Sequence, residues 1–249
     1  MNNRFQRKTA LVTGGGSGIG QAIALRLAAE GANVMIIGRG AQALQETAAM
    51  HANIAYSVAD MTNGDDLSRV LAETEAKFGG LDVLVNNAGA APVTPLAQSN
   101  HAEYEKTFAI NMGAVAELSR LAYPLLQRAK GNVVNISSSV ANRPLANMSI
   151  YSASKAAVTA FSKALAREWA ADGVRVNSIA VGPIWTPIYD KTEQTPAERA
   201  AHKARVEAMI PLGRFGTTEE VAAVVAFIAS DEAAFVTGSD YAVDGGMTA

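Results

Sequence analysis

Seven short runs of aliphatic and β-branched residues alternate along this chain with longer stretches of helical spacing, and few architectures accept that order. The runs are Thr9–Thr13, Val34–Ile37, Ile54–Val58, Val83–Val85, Asn132–Ile136, Val174–Ala180 and Tyr241–Val243. The spacing between them predicts helices over Gly18–Glu30, Ala41–Met50, Asp65–Phe78, Ala102–Arg128 and Ile150–Ala171. Gly31, Gly79-Gly80 and Gly173 stand where these helices should end. Thr217-Thr218-Glu219-Glu220 has the spacing of a capping box and opens a further helix to about Ala229. Val34–Ile37 is apolar throughout, which fits a strand covered on both faces. Such alternation implies an α/β chain with a doubly wound parallel sheet of about seven strands, flanked by helices. Length and composition agree: 249 residues suit one large α/β unit, and 49% hydrophobic residues can fill its core.

The chain carries 21 basic and 23 acidic residues, a net charge of -2, which argues against nucleic acid or an anionic membrane as partner. It has no cysteine, which excludes disulfides and thiolate metal sites. That composition suits a reducing compartment, and the cytoplasm is the expected location. Residues Met1 to Lys8 lack the apolar stretch of a signal peptide, and no apolar run approaches the ~20 residues of a membrane span. His51, His101 and His202 are scattered outside every motif and read as surface or capping residues, so no metal is expected. No G-x-S-x-G elbow is present, which leaves a serine hydrolase without its nucleophile motif.

Between the first strand and the first helix lies Thr13-Gly14-Gly15-Gly16-Ser17-Gly18-Ile19-Gly20. Glycines there let the backbone approach a phosphate, and a helix N-terminus offers it free N–H groups. A tight turn without a ligand is the alternative; the strand before and the helix after favour nucleotide binding. The second strand ends Ile37-Gly38-Arg39, with no Asp or Glu between Glu30 and Glu46. In dinucleotide folds a carboxylate near this point holds the ribose 2′-OH of NAD, whereas an arginine suits the 2′-phosphate of NADP. Arg39 therefore favours NADP(H), with NAD(H) as the alternative and a solvated surface arginine as the plainer reading.

Tyr151 and Lys155 stand four residues apart on a predicted helix and so share one face. A nearby ammonium favours the phenolate over the phenol. A group with an unperturbed pKa near ~10 could then do acid–base work at neutral pH. Taken alone, Tyr151 reads first as a helix tyrosine packed in the core.

Together these segments resemble the short-chain dehydrogenase/reductase family, and the likeness runs almost end to end. Thr13-Gly14-x-x-x-Gly18-x-Gly20 is similar to the family's cofactor turn, and Asp60 to its adenine-contacting aspartate. Asn86-Asn87-Ala88-Gly89 is similar to the segment after its fourth strand, and Asn111 in Ile110-Asn111-Met112-Gly113 to its catalytic asparagine. Ser138, Tyr151 and Lys155 match its serine, tyrosine and lysine. The resemblance implies one Rossmann-like domain over residues 1–249, with a cofactor part to about 135 and a catalytic part from about 136.

The resemblance also implies an oxidoreductase that moves a hydride between nicotinamide and a carbonyl or secondary alcohol carbon. Ser138 would donate to the carbonyl oxygen, and Tyr151 would exchange the proton. Lys155 would bond the nicotinamide ribose and lower the tyrosine pKa, and Asn111 would hold a water linking Lys155 to solvent. Cofactor contacts are expected at the turn from Thr13, Gly14, Gly16, Ser17, Gly18, Ile19 and Gly20, and further along from Arg39, Asp60, Met61, Asn87, Ala88 and Gly89. Tyr151, Lys155, Gly182, Ile184 and Thr186 complete that expectation. Ser137 and Ser139 point away from Ser138 on a strand and are assigned strand-end hydrogen bonding. The family usually carries Pro-Gly after its sixth strand, where this chain has Val181-Gly182-Pro183. Gly182 and Thr186 keep their spacing, which makes Thr186 the expected carboxamide contact.

The substrate is expected to be a small carbonyl compound or alcohol, held by Ser138, Val140, Met148, Tyr151, Trp185, Ile188 and Tyr189. The last three lie on Pro183–Thr195, a segment of the kind that forms lids; they either line an apolar pocket or pin the loop. Arg143 either receives an anionic substrate or is a solvated loop residue. Val221, Val224, Val225 and Ile228 give their helix an apolar face, Phe235, Val236, Tyr241 and Val243 follow, and some of this surface is expected to lack a partner in a monomer. The family likeness implies a homotetramer through such helices and the last strand, with a dimer as the alternative. A non-catalytic dinucleotide-binding relative is the rival reading; the joint presence of Asn111, Ser138, Tyr151 and Lys155 stands against it. A methyltransferase on a related fold has no use for the tyrosine–lysine pair.

Overall fold

The computed structural model describes residues 3–186 and 195–249. Seven strands form one sheet in the order β3-β2-β1-β4-β5-β6-β7. They are β1 (Thr9–Thr13), β2 (Asn33–Gly38), β3 (Ile54–Val58), β4 (Val83–Asn86), β5 (Asn132–Ser138), β6 (Arg175–Val181) and β7 (Asp240–Val243). Every neighbouring pair is parallel. The order reverses at β1, between β2 and β4, and a crevice opens at the carboxyl ends of the strands where it does.

Alternation along the strands builds a core on each face of the sheet. Val12, Ile36, Val85, Val134 and Ile179 pack with Ile23 and Leu27 of α1 (Gly18–Ala29), Leu44 of α2 (Ala41–Ala49) and Val225 and Ile228 of a helix near the C-terminus. Leu11, Ile37, Leu84, Val133 and Val176 face the other way, onto α3 (Gly64–Phe78), α5 (Ala114–Ala129) and α6 (Ser149–Trp169). α4 (His101–Phe108), α7 (Pro196–Glu207) and α8 (Thr218–Ala229) complete the helices among the described residues. None of these helices is long and apolar enough to cross a membrane.

Three sequence expectations change. The helix anticipated over Ala102–Arg128 is interrupted: a π turn over Ala109–Gly113 separates α4 from α5. Asn111 sits in that turn with its side-chain amide committed to partners outside the helix, and wide turns of this kind are frequent at functional sites. α7 was not expected, because it buries no residue and so carries no apolar stripe. Its start was nonetheless written in the chain as a capping box of Thr195 and Glu198 with Pro196 in the first turn. Finally, Val221, Val225 and Ile228 of α8 are fully buried within the monomer against α1 and the sheet. Of the C-terminal apolar surface expected to lack a partner, this face is therefore covered, with Val224 half-buried, whereas Phe235 stays exposed. The α8 capping box forms as read: Thr217 accepts from Glu220 N, and Glu220 accepts from Thr217 N at 2.8 Å.

Candidate active site

Two adjoining clefts open at the carboxyl ends of the strands. The larger, about 710 Å³, is lined by Gly14, Ser17, Gly18, Ile19 and Gly20, by Arg39, Asp60 and Met61, and by Asn87, Ala88 and Gly89. That volume is in the range of a cofactor pocket. α1 begins at its floor, with no side chain capping its N-terminus and no acid in its first turn, so its free N–H groups face the cleft. Gly20 is required by close approach: a β-carbon there would lie 2.3 Å from Gly14 O and 2.5 Å from Asn87 Nδ2. Gly14 and Gly18 adopt φ of 68° and 56°, which a side chain would strain.

Thr13 and Gly16 support this surface rather than line it. The Thr13 hydroxyl accepts the N–H groups of Asn87 at 2.9 Å and Ala88 at 2.8 Å, and Asn87 Nδ2 donates to Thr13 O at 2.9 Å. These bonds staple the ends of β1 and β4 together beneath the cleft. Gly16 lies against α2, where a β-carbon would be 3.2 Å from Ala43 Cβ.

Arg39 stands exposed on the cleft wall and makes no hydrogen bond or ion pair among the described residues. The N-terminus of α2 beside it is likewise uncapped by a side chain and free of acids in its first turn. Asp60 accepts from Thr62 N at 2.9 Å and Thr62 Oγ1 at 2.8 Å. Those two bonds hold its carboxyl below the usual range. Lys106 and Ile110 also line the cleft; neither carried a motif that singled it out as a contact.

The smaller cleft, about 270 Å³, shares Ile19, Asn87, Gly89, Ala90 and Thr186 with the first and adds Ser138, Tyr151, Lys155, Gly182 and Ile184. Lys155 is buried, and its Nζ donates to Ile136 O at 2.7 Å. Burial pulls its pKa down to about 8. A β-carbon on Gly89 would sit 3.0 Å from Asn111 Oδ1 and 3.5 Å from Lys155 Nζ, so these groups converge on one point. Asn111 is buried with its amide fully engaged: Nδ2 donates to Ala90 O and Ser154 Oγ, each at 2.9 Å, and Oδ1 accepts from Ala90 N at 2.8 Å.

β5 runs two residues further than its apolar pattern suggested, through Ser138, and β6 one further, through Val181, where the two pair. Ser138 Oγ lies 3.3 Å from Val181 O. Ser137, assigned strand-end bonding from the sequence, instead joins β5 to α6: its Oγ is 3.1 Å from Lys155 O and 2.8 Å from Thr159 Oγ1. After β6, Gly182 passes so close to Asp244 that a β-carbon would meet its Cα at 2.5 Å.

Val140, Met148 and Trp185 are not brought to the lining of either cleft among the described residues. Val140 is buried in a short turn after β5, and Met148 is half-buried at the start of α6. Trp185 packs edge-on against Phe215 with ring centres 5.3 Å apart, and Lys203 lies 5.4 Å over its ring. Of its two readings, this geometry is that of a loop anchor. Arg143 donates to Met247 O at 2.6 Å, tying the loop after β5 to the C-terminal turn. Ile188 and Tyr189, with most of the expected lid, lie outside the described residues. His51 accepts from Asn53 N in a turn, and His101 pairs with Glu105 on the surface of α4.

A nucleotide cleft at the reversal of a parallel sheet, opening onto a buried lysine beside a tyrosine and a serine, marks the class of dinucleotide-dependent oxidoreductases. The family model described as enoyl-(acyl carrier protein) reductase matches residues 14–248. The chain is 36% identical to an L-fucose dehydrogenase of Bos taurus, over 99% of this chain and 91% of that protein. It is 34% identical to a 3-oxoacyl-[acyl-carrier-protein] reductase of Thermotoga maritima, over 98% and 99%. A 2-(S)-hydroxypropyl-CoM dehydrogenase of Xanthobacter autotrophicus is 35% identical over the full length of both chains. The crystal structure of a short-chain dehydrogenase/reductase from Caenorhabditis elegans, solved with cofactor, superposes with a TM-score of 0.90 at 32% identity, covering 98% of this chain and 96% of that one. The protein belongs to the short-chain dehydrogenase/reductase family. It is an NAD(P)-dependent oxidoreductase acting on CH–OH or C=O groups.

Proposed function

We propose that the chain is an NADP(H)-dependent carbonyl reductase or alcohol dehydrogenase in which Ser138, Tyr151, Lys155 and Asn111 form the reacting set. The dinucleotide would lie in the larger cleft, its phosphates toward the free N–H groups of α1 and its nicotinamide toward Thr186 and the smaller cleft. When bound, it supplies or accepts the hydride. The chain's own work is polar: the Ser138 hydroxyl donates to the oxygen on which charge develops. Tyr151 delivers the proton in reduction and removes it in oxidation. Lys155, buried and cationic at neutral pH, favours the phenolate and bonds the ribose. Both N–H groups of the Asn111 amide are taken by Ala90 O and Ser154 Oγ, so a relay water would have to donate to an oxygen of this residue, its main-chain carbonyl or Oδ1. Cofactor contacts would come mainly from the half before about residue 135 and the reacting groups, Asn111 apart, from the half after about 136, the two sharing one sheet.

The choice of NADP(H) rests on Arg39. It stands on the cleft wall with no hydrogen bond or ion pair among the described residues, beside the uncapped start of α2, and the chain places no Asp or Glu between Glu30 and Glu46; among the described residues the carboxyl that feels its charge is that of Asp60, which lines the same cleft. The relatives differ widely in their named substrates, so the reaction class carries over further than the substrate. Lack of cysteine supports a cytoplasmic setting.

The test is steady-state turnover of a panel of ketones and secondary alcohols with each dinucleotide. NADPH should give the higher kcat/KM, and Arg39→Ala should lower it about tenfold or more with NADPH, and less than about threefold with NADH. A parent enzyme that prefers NADH would overturn the assignment. Tight NADPH binding without turnover of any substrate would favour a non-catalytic binder.

A further inference from the structure

We infer that Ser154 is a positioning residue that fixes the reacting turn of α6 against the wall of the cofactor cleft. Its hydroxyl is fully buried between Tyr151 and Asn111. The O–H donates to Tyr151 O at 2.7 Å, which leaves the oxygen lone pairs for Asn111 Nδ2 at 2.9 Å. The other N–H of that amide goes to Ala90 O at 2.9 Å, and Oδ1 takes Ala90 N at 2.8 Å. One chain of bonds thus runs from the carbonyl of Tyr151 through Ser154 and Asn111 to the backbone of Ala90. Ala90 lines both clefts. Among the described residues, Ser154 supplies the only α6 hydrogen bond to Asn111.

Each link has one available partner. The Ser154 proton cannot turn toward Asn111, whose Nδ2 is a donor, so it is held on Tyr151 O. Among the described residues the Asn111 amide makes no bond to another acceptor that could take the freed N–H, its remaining bonds being to Ala90. Loss of the hydroxyl therefore strands a buried donor, and the amide or the turn of α6 must shift to relieve it. Small displacements at a reacting centre are felt in the rate more than in cofactor binding. Ser152, two residues earlier in the same helix, is the internal contrast: its buried hydroxyl has no hydrogen-bond partner among the described residues.

The inference rests on the proposal that Tyr151 delivers the proton, and one set of variants separates the two. Ser154→Ala should lower kcat about tenfold at saturating substrate and NADPH, with the NADPH Kd unchanged within about twofold and Ser152→Ala at the parental rate. Ser154→Thr, which keeps the hydroxyl, should recover most of the loss. In an Asn111→Leu background, Ser154→Ala should cost less than about twofold more, because the link is already broken. A parental kcat for Ser154→Ala, or a loss confined to Kd and thermal stability, overturns the inference while leaving the reaction assignment intact. Tyr151→Phe at the parental rate overturns the assignment itself. If Asn111→Leu does not fold, the split between kcat and Kd in Ser154→Ala decides alone.

Discussion

Lys155 bears a stability cost that comes with the role proposed for it. Burial alone lowers its pKa from 10.5 to about 8. The folded state thus releases the proton more readily than the unfolded chain does. Below pH 8 the group is charged in both states, and the folded protein carries the whole cost of a buried ammonium. Between about pH 8 and 10.5 the unfolded chain holds more protons, so stability contributed by this site rises with pH across that window. The displacement corresponds to roughly 3 kcal/mol. Lys155→Met should therefore stabilise the cofactor-free protein at pH 7 by up to about 2 kcal/mol, after loss of the bond to Ile136 O, while lowering turnover at least about 100-fold. The gain should shrink as pH rises from 8 to 10. Urea unfolding at pH 7 and pH 9.5 measures both, and a variant less stable than its parent at pH 7 would contradict the account.

Among the elements, the strands were plain in the sequence because alternating burial on two faces leaves few other patterns. β1 and β3 kept their anticipated bounds. β5 and β6 grew at their carboxyl ends, where Ser137, Ser138 and Val181 pair as backbone although their side chains serve the site. Asn111 was readable as a site residue only through family likeness. The π turn around it comes from tertiary bonds to Ala90 and Ser154 that no local periodicity encodes. Ser154 passed unremarked for the same reason: inside a helix a serine has no marked signature until its partner, 43 residues away, is placed. The staple between β1 and β4 is another such long-range feature, since Thr13 reaches Asn87 across 74 residues. Thr13→Val keeps the shape but removes the acceptor for two backbone N–H groups. It should cost roughly 2–4 kcal/mol of stability and weaken dinucleotide binding about tenfold or more, as read by denaturant titration and fluorescence. Stability equal to the parent's would mean that other acceptors replace the hydroxyl.

At the scale of the molecule, the apolar surface left over is only part of what the sequence pattern marked near the C-terminus. The face of α8 formed by Val221, Val225 and Ile228 is consumed by α1 and the sheet. Around β7, what stays outside includes Phe227 on the opposite side of that helix, at 40% exposure, and Phe235, fully exposed just before β7. β7 is also the last strand of the sheet, and its outer edge is unpaired among the described residues. Leaving an entire phenylalanine ring in water forgoes about 2 kcal/mol that burial would supply. Two copies related by a twofold axis would each contribute the same ring to one contact. We therefore propose assembly of this chain into a tetramer, or a dimer, through the β7 side rather than through the buried face of α8. Light scattering should give a mass at least twice the 25.9 kDa of one chain. Phe235→Glu should lower that mass or raise the dissociation constant about tenfold or more, because the ring is lost and a charge is placed where two copies meet. Phe235 makes no contribution to either cleft, so monomers released by the substitution should retain dinucleotide binding. An unchanged mass at micromolar concentration would move the interface elsewhere, and a parent of 25.9 kDa would remove it.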